Sequence, residues 1–82
     1  MTDPLLHKLH EELWSLENAY NSRSAYLAWA KAEAGFDPSE DEMQWMEANA
    51  VQRAELARLI AARVAALRAQ GANVDAAMPQ RP

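Results

Sequence analysis

The chain is interrupted once, at Gly35-Phe36-Asp37-Pro38-Ser39-Glu40, and the segment on each side reads as one long amphipathic helix. Glycine readily takes the left-handed conformation that closes a helix, so Gly35 marks the first end. Asp37 is suited to cap the next helix, with Pro38 at its first position and Glu40 at the capping-box position. All four prolines (Pro4, Pro38, Pro79, Pro82) lie outside the helical runs. One break between two helices leaves little choice of fold. The expectation is an all-α, antiparallel two-helix hairpin over residues 1–71, with helix 4–34, turn 35–38 and helix 38–70. Thr2 or Asp3 would cap the first helix, and Gly71 falls just past the second. Residues 72–82 lose periodicity and read as a disordered tail.

The first helix carries Leu6, Leu9, Leu13, Leu16, Tyr20, Leu27, Ala30 and Ala34 in a 3-4 rhythm broken only by Arg23. That spacing is the seam of a coiled coil. The second helix has a stripe centred on Met46, Arg53, Ala57, Ile60, Val64 and Leu67, flanked by Met43, Ala50, Leu56 and Ala61. Matching distances from the turn pairs Leu27 with Met46, Tyr20 with Arg53, Leu13 with Ile60 and Leu6 with Leu67. The second helix starts acidic and finishes basic, as its dipole favours. Folding back would set Arg63 and Arg68 beside Glu11 and Glu12, and the acidic start near Lys31.

A two-helix rod has a marginal core, and this one carries three tryptophans. Trp14 and Trp29 lie off the first stripe and Trp45 at the edge of the second. Each tryptophan side chain buries ~150–250 Å² when covered, so leaving several in water is unfavourable. The simplest cover is a second copy, which gives a homodimeric four-helix bundle. Phe36, Met43 and Met46 join Trp29 and Trp45 near the hairpin tip, a composition typical of protein-binding surfaces.

Charge and composition narrow the function classes. Twelve acids against eight bases leave a net charge of −4, which repels nucleic-acid backbones. The bases of the second helix recur every five residues (Arg53, Arg58, Arg63, Arg68), so they spiral instead of forming a stripe. The absence of cysteine excludes disulfides, thiolate metal sites and thiol catalysis. No apolar run approaches the ~18 residues of a membrane span, and the N-terminus lacks the order of a signal peptide. The expected location is cytoplasmic.

Two constellations could carry chemistry. His7, His10 and Glu11 share a helical face at metal-ligand spacing, but their order differs from Glu-x-x-His, and the second helix offers no matching histidine. Arg23 and Arg53 occupy seam positions where leucine belongs, and an unpaired buried charge is unfavourable by several kcal/mol. Tyr20, Glu17, Asn49 and Glu47 are their candidate partners. With such partners the arginines fix register, as polar seam residues do. Without them they could form an anion pocket in a small bundle enzyme, for instance one acting on a dicarboxylate. No general acid or base accompanies either arginine. The residues therefore point to a non-enzymatic regulator, inhibitor or adaptor that binds a second protein and needs no cofactor. Helical hairpins of this size occur among small bacterial and phage regulators, an analogy of shape alone.

Overall fold

The computed structural model describes residues 2–81. It contains α1 (Pro4–Ala34), α2 (Glu40–Ala69) and α3 (Val74–Ala77), with no strand among the described residues. Asp3 caps α1: its carboxylate accepts the Leu6 N–H at 3.0 Å, and Pro4 follows at the first turn. Gly35 closes α1 at φ 69, its N–H donating to the Lys31 carbonyl at 3.0 Å. The second cap differs from expectation. Ser39, not Asp37, starts α2, and its hydroxyl accepts the Glu42 N–H at 3.2 Å. Asp37 is instead paired with Lys31, 2.5 Å away, so the turn runs to Ser39 and the helix begins at Glu40. At the far end α2 closes in a Schellman motif. Gly71 stands at φ 78, with bonds from its N–H to Arg68 and from the Ala72 N–H to Leu67.

α1 and α2 pack antiparallel into a rod of 55 × 22 × 14 Å. The thin dimension is about one helix diameter, so the rod is a single layer. In α1 the residues facing α2 are the expected ones: Leu6, Leu9, Leu13, Leu16, Tyr20, Arg23, Leu27 and Ala30 are all buried or half-buried. Ala34 is exposed, because α1 ends there. In α2 the seam is Glu42, Met46, Asn49, Arg53, Leu56, Ile60, Arg63 and Leu67, all buried or half-buried, in unbroken 3-4 spacing. Ala50, Ala57 and Ala61, expected near that stripe, face solvent. Asn49 and Arg63 take seam places, and each is held by a polar partner from α1.

Those partners also set the register. Arg53 stacks over the Tyr20 ring at 4.4 Å, and Leu6 and Leu67 share one cluster, as the distance-matching rule expects. Asn49 reaches the Leu16 carbonyl, Arg23 reaches Glu42, and Arg63 forks onto Asp3 at 2.8 and 3.1 Å. These last pairs link α2 to residues roughly two helical turns nearer the start of α1 than that rule gives. The true alignment lies between the two sets. The expected pairing of Arg63 with Glu11 or Glu12 is therefore replaced by Asp3, and Glu11 pairs with His7 at 2.8 Å.

The chain beyond Gly71 is not a free tail. Asn73 caps α3, and Ala77 packs on Leu6 and Leu67 with Val74, Met78, Ile60 and Val64 around them. The Asp3 N–H donates to the Ala77 carbonyl at 3.0 Å, tying the two ends of the fold together. Arg81 reaches Glu17 at 3.1 Å. Pro82, at the end of the expected tail, lies outside the described residues.

Candidate functional site: an aromatic face around the Arg23–Glu42 pair

A residue just before a seam position projects to one side of the rod, and one just after it projects to the other, because each step turns about 100°. Leu5, Ser15, Tyr26, Trp29, Trp45 and Leu59 all precede seam residues and share one face. His10, Trp14, Glu17, Met43 and Val64 follow seam residues and share the opposite face. α3 and the segment leading to Arg81 lie on that second face, through their contacts with Val64 and Glu17.

The first face is open and aromatic toward the turn. The Tyr26 and Trp29 rings lie 6.1 Å apart in a tilted contact, the Arg23 guanidinium lies 4.9 Å from the Tyr26 ring, and Arg23 pairs in two places with Glu42. Trp45 lines the same depression as Arg23 and Glu42. Trp29 is 61 % exposed and Trp45 41 %. The guanidinium thus sits between an aromatic ring and a carboxylate, which fixes its orientation while leaving the rings accessible. Farther from the turn this face holds a shallow, mostly apolar groove built from Ser15, Leu16, Val51 and Leu56, with Glu12 and Glu55 among its walls. Glu55 is tied to Arg58 on its own helix, and that hydrogen bond holds its carboxyl below the ordinary glutamate range.

The other expected interface residues divide between locations. Trp14 is half-buried, its ring 5.5 Å from that of His10 on the face that carries α3. Met43 is exposed, two residues from Trp45 and so about 200° round the helix from it. Phe36 projects from the turn, 69 % exposed. Met46 faces inward as a half-buried seam residue. Tyr26, which binds the arginine and the tryptophan into one surface, was not distinguished by the sequence reading. Its signal was available: it precedes seam residue Leu27 and stands three residues on either side from Arg23 and Trp29.

Neither of the two chemical constellations assembles as its spacing allowed. His7 pairs with Glu11, whereas the His10 Nδ1 lies 2.9 Å from the Leu6 carbonyl oxygen and its ring packs on Trp14. Among the described residues no three histidine or carboxylate side chains converge as a metal cluster. Arg23 and Arg53 have separate partners. Arg53 donates to the Asn49 amide oxygen at 2.7 Å and covers Tyr20, while Arg23 is held by Glu42 and Tyr26. Of the four candidate partners, Tyr20 and Asn49 serve Arg53, and Glu17 serves Arg81. No described helix is long and apolar enough to cross a membrane. No protein-family model matches the chain, and no curated protein or solved structure matches it either.

Proposed function

We propose that this protein is a non-enzymatic interaction module, a regulator, inhibitor or adaptor that acts in the cytoplasm by binding another protein through its hairpin. The observation that carries the reading is the exposed set Tyr26, Trp29 and Trp45 gathered round Arg23 at the turn end of one face. Tryptophan, tyrosine and arginine are the residues that dominate binding energy at protein interfaces. Here Arg23, Tyr26 and Trp29 are oriented by contacts with one another, so less side-chain freedom is lost on docking. Phe36 extends the apolar surface round the turn, and Glu40 and Asp41 in the first turn of α2 add negative charge beside it. A partner with a basic, apolar-centred patch is the natural fit.

The hairpin works as a homodimer in a four-helix bundle. The rod exposes 5874 Å², whereas a compact monomer of 9.2 kDa exposes about 4,900 Å². The excess is close to the ~800 Å² that each partner contributes to a standard interface.

The test is recovery of the partner from the native host with the wild-type chain, Trp29→Ala and Trp45→Ala. Truncating an anchoring tryptophan weakens binding by about 2 kcal/mol, roughly thirtyfold. Both variants are expected to stay folded and lose the partner. Equal recovery by both would place the contact elsewhere. A rise in melting midpoint with a divalent metal or a small dicarboxylate, and no partner recovered, would favour ligand binding instead.

A further inference from the structure

We infer that the groove formed by Ser15, Leu16, Val51 and Leu56 is the seat of a second copy of this chain. The two rods would lie tip to base across a two-fold axis at the groove. This deepens the dimer reading above and rests on it. Three observations select the face, the occupant and the orientation.

The face follows from α3. Val74, Ala77 and Met78 already cover the base of the opposite face, and the Arg81–Glu17 pair continues along it. The groove face has no such cover, and its half-buried floor residues Leu16 and Leu56 are seam residues reached from outside. A copy laid there would complete a second layer on a rod only 14 Å thick.

The orientation follows from charge. Residues 20–50 carry two bases, Arg23 and Lys31, against six acids, and so hold the whole net charge of −4. The remainder of the chain is balanced. Two copies side by side with their tips together would bring two charges of −4 into contact. Rotation about an axis across the rod puts balanced base halves together and sends the acidic tips to opposite ends.

The overlap follows from where the groove sits. Ser15 and Leu16 are about one third of the way along α1 from its start. A two-fold axis there overlaps residues 4–27 of each α1, about 24 residues or roughly 36 Å of rod. Trp29 and Phe36 then project beyond the partner's α1 at both ends, whereas Tyr26 and Trp45 lie at the edge of the overlap. The dimer would present Trp29 and Phe36 at two tips, free for the second protein.

The chain contains no cysteine, so single cysteines report the geometry without background. Ser15→Cys lies near the axis and changes one atom at an exposed position. Sedimentation at tens of micromolar is expected to show a dimer, and mild oxidation is expected to convert most of Ser15→Cys to a covalent dimer. Phe36→Cys, at the tip, and Ala54→Cys, on the opposite face, are expected to stay uncrosslinked. A monomer at these concentrations overturns the inference, and so does a dimer in which Phe36→Cys or Ala54→Cys crosslinks in place of Ser15→Cys. Loss of partner recovery in Trp29→Ala reads the tips independently, so that function can stand even if the groove stays empty.

Discussion

Asn49→Ala is the sharpest test of how the seam is held. Asn49 is 4 % exposed and joins α2 to α1: its Nδ2 donates to the Leu16 carbonyl at 3.0 Å, and its Oδ1 accepts from Arg53 Nε at 2.7 Å. Arg53 in turn stacks on Tyr20. A neutral hydrogen bond contributes about 0.5–1.5 kcal/mol and one to a charged group about 1.5–3 kcal/mol. The Leu16 carbonyl keeps an acceptor role within α1, so the neutral bond should count at the low end of its range. Arg53 can turn its guanidinium toward water, which recovers part of the second term. The expected loss is about 2 kcal/mol, and for a domain of this size that lowers the melting midpoint by roughly 8–16 °C. Circular dichroism during thermal and urea unfolding measures it. A double-mutant cycle with Arg53→Met isolates the pair and should return a coupling of about 1 kcal/mol or more. A loss below about 0.5 kcal/mol, or additive single effects, would show that the buried amide neither orients Arg53 nor ties α2 to α1.

Three further outcomes are expected. Arg63 holds the Asp3 carboxyl below the ordinary aspartate value of 3.8, with help from the Leu6 N–H, so Asp3 contributes stability at neutral pH. That contribution is lost as pH falls through the lowered value, and an acid titration of unfolding should show a smaller decline below about pH 4 in Asp3→Ser, which keeps a capping hydroxyl. Gly35→Ala should be destabilising by about 1 kcal/mol in urea unfolding, because φ is 69 although no atom lies within 4 Å of the added Cβ. An unchanged midpoint would mean that the turn relaxes. Ending the chain after Ala72 strips Val74, Ala77 and Met78 from Leu6 and Leu67, so unfolding should shift to lower urea while helix content falls only slightly. No shift would show that α3 is not part of the fold.

The hairpin was legible in the sequence because its break and its α1 seam are written in residues that local physics treats one way. Gly35 is followed by Phe36-Asp37-Pro38, which together mark a helix end, and the leucines of α1 leave only one face to bury. The cap of α2 was ambiguous: both Asp37-Pro38-Ser39-Glu40 and Ser39-x-x-Glu42 have capping-box form. In the fold Asp37 engages Lys31 across the turn and Ser39 takes the cap, a pairing that no local rule contains. α3 was missed for a related reason. Four helical residues have no intrinsic stability, and these fold only because Leu6 and Leu67 lie beneath them.

The α2 seam is the more instructive failure. Weighting positions by hydrophobicity draws Ala57 inward and passes over Glu42, Asn49 and Arg63, which spacing alone selects beside the expected Met46, Arg53, Leu56, Ile60 and Leu67. Half of that seam is polar, and every polar member meets a complement: Arg23 for Glu42, the Leu16 carbonyl for Asn49, Tyr20 for Arg53 and Asp3 for Arg63. An alanine-rich helix such as α2 could slide along a leucine seam by one turn with little change in apolar burial. It cannot do so here without separating all four pairs, two of which are ionic. The polar seam gives up some apolar burial and fixes a single alignment of the two helices. That alignment is what brings Trp45 of α2 beside Arg23 of α1, and with it the aromatic face into being.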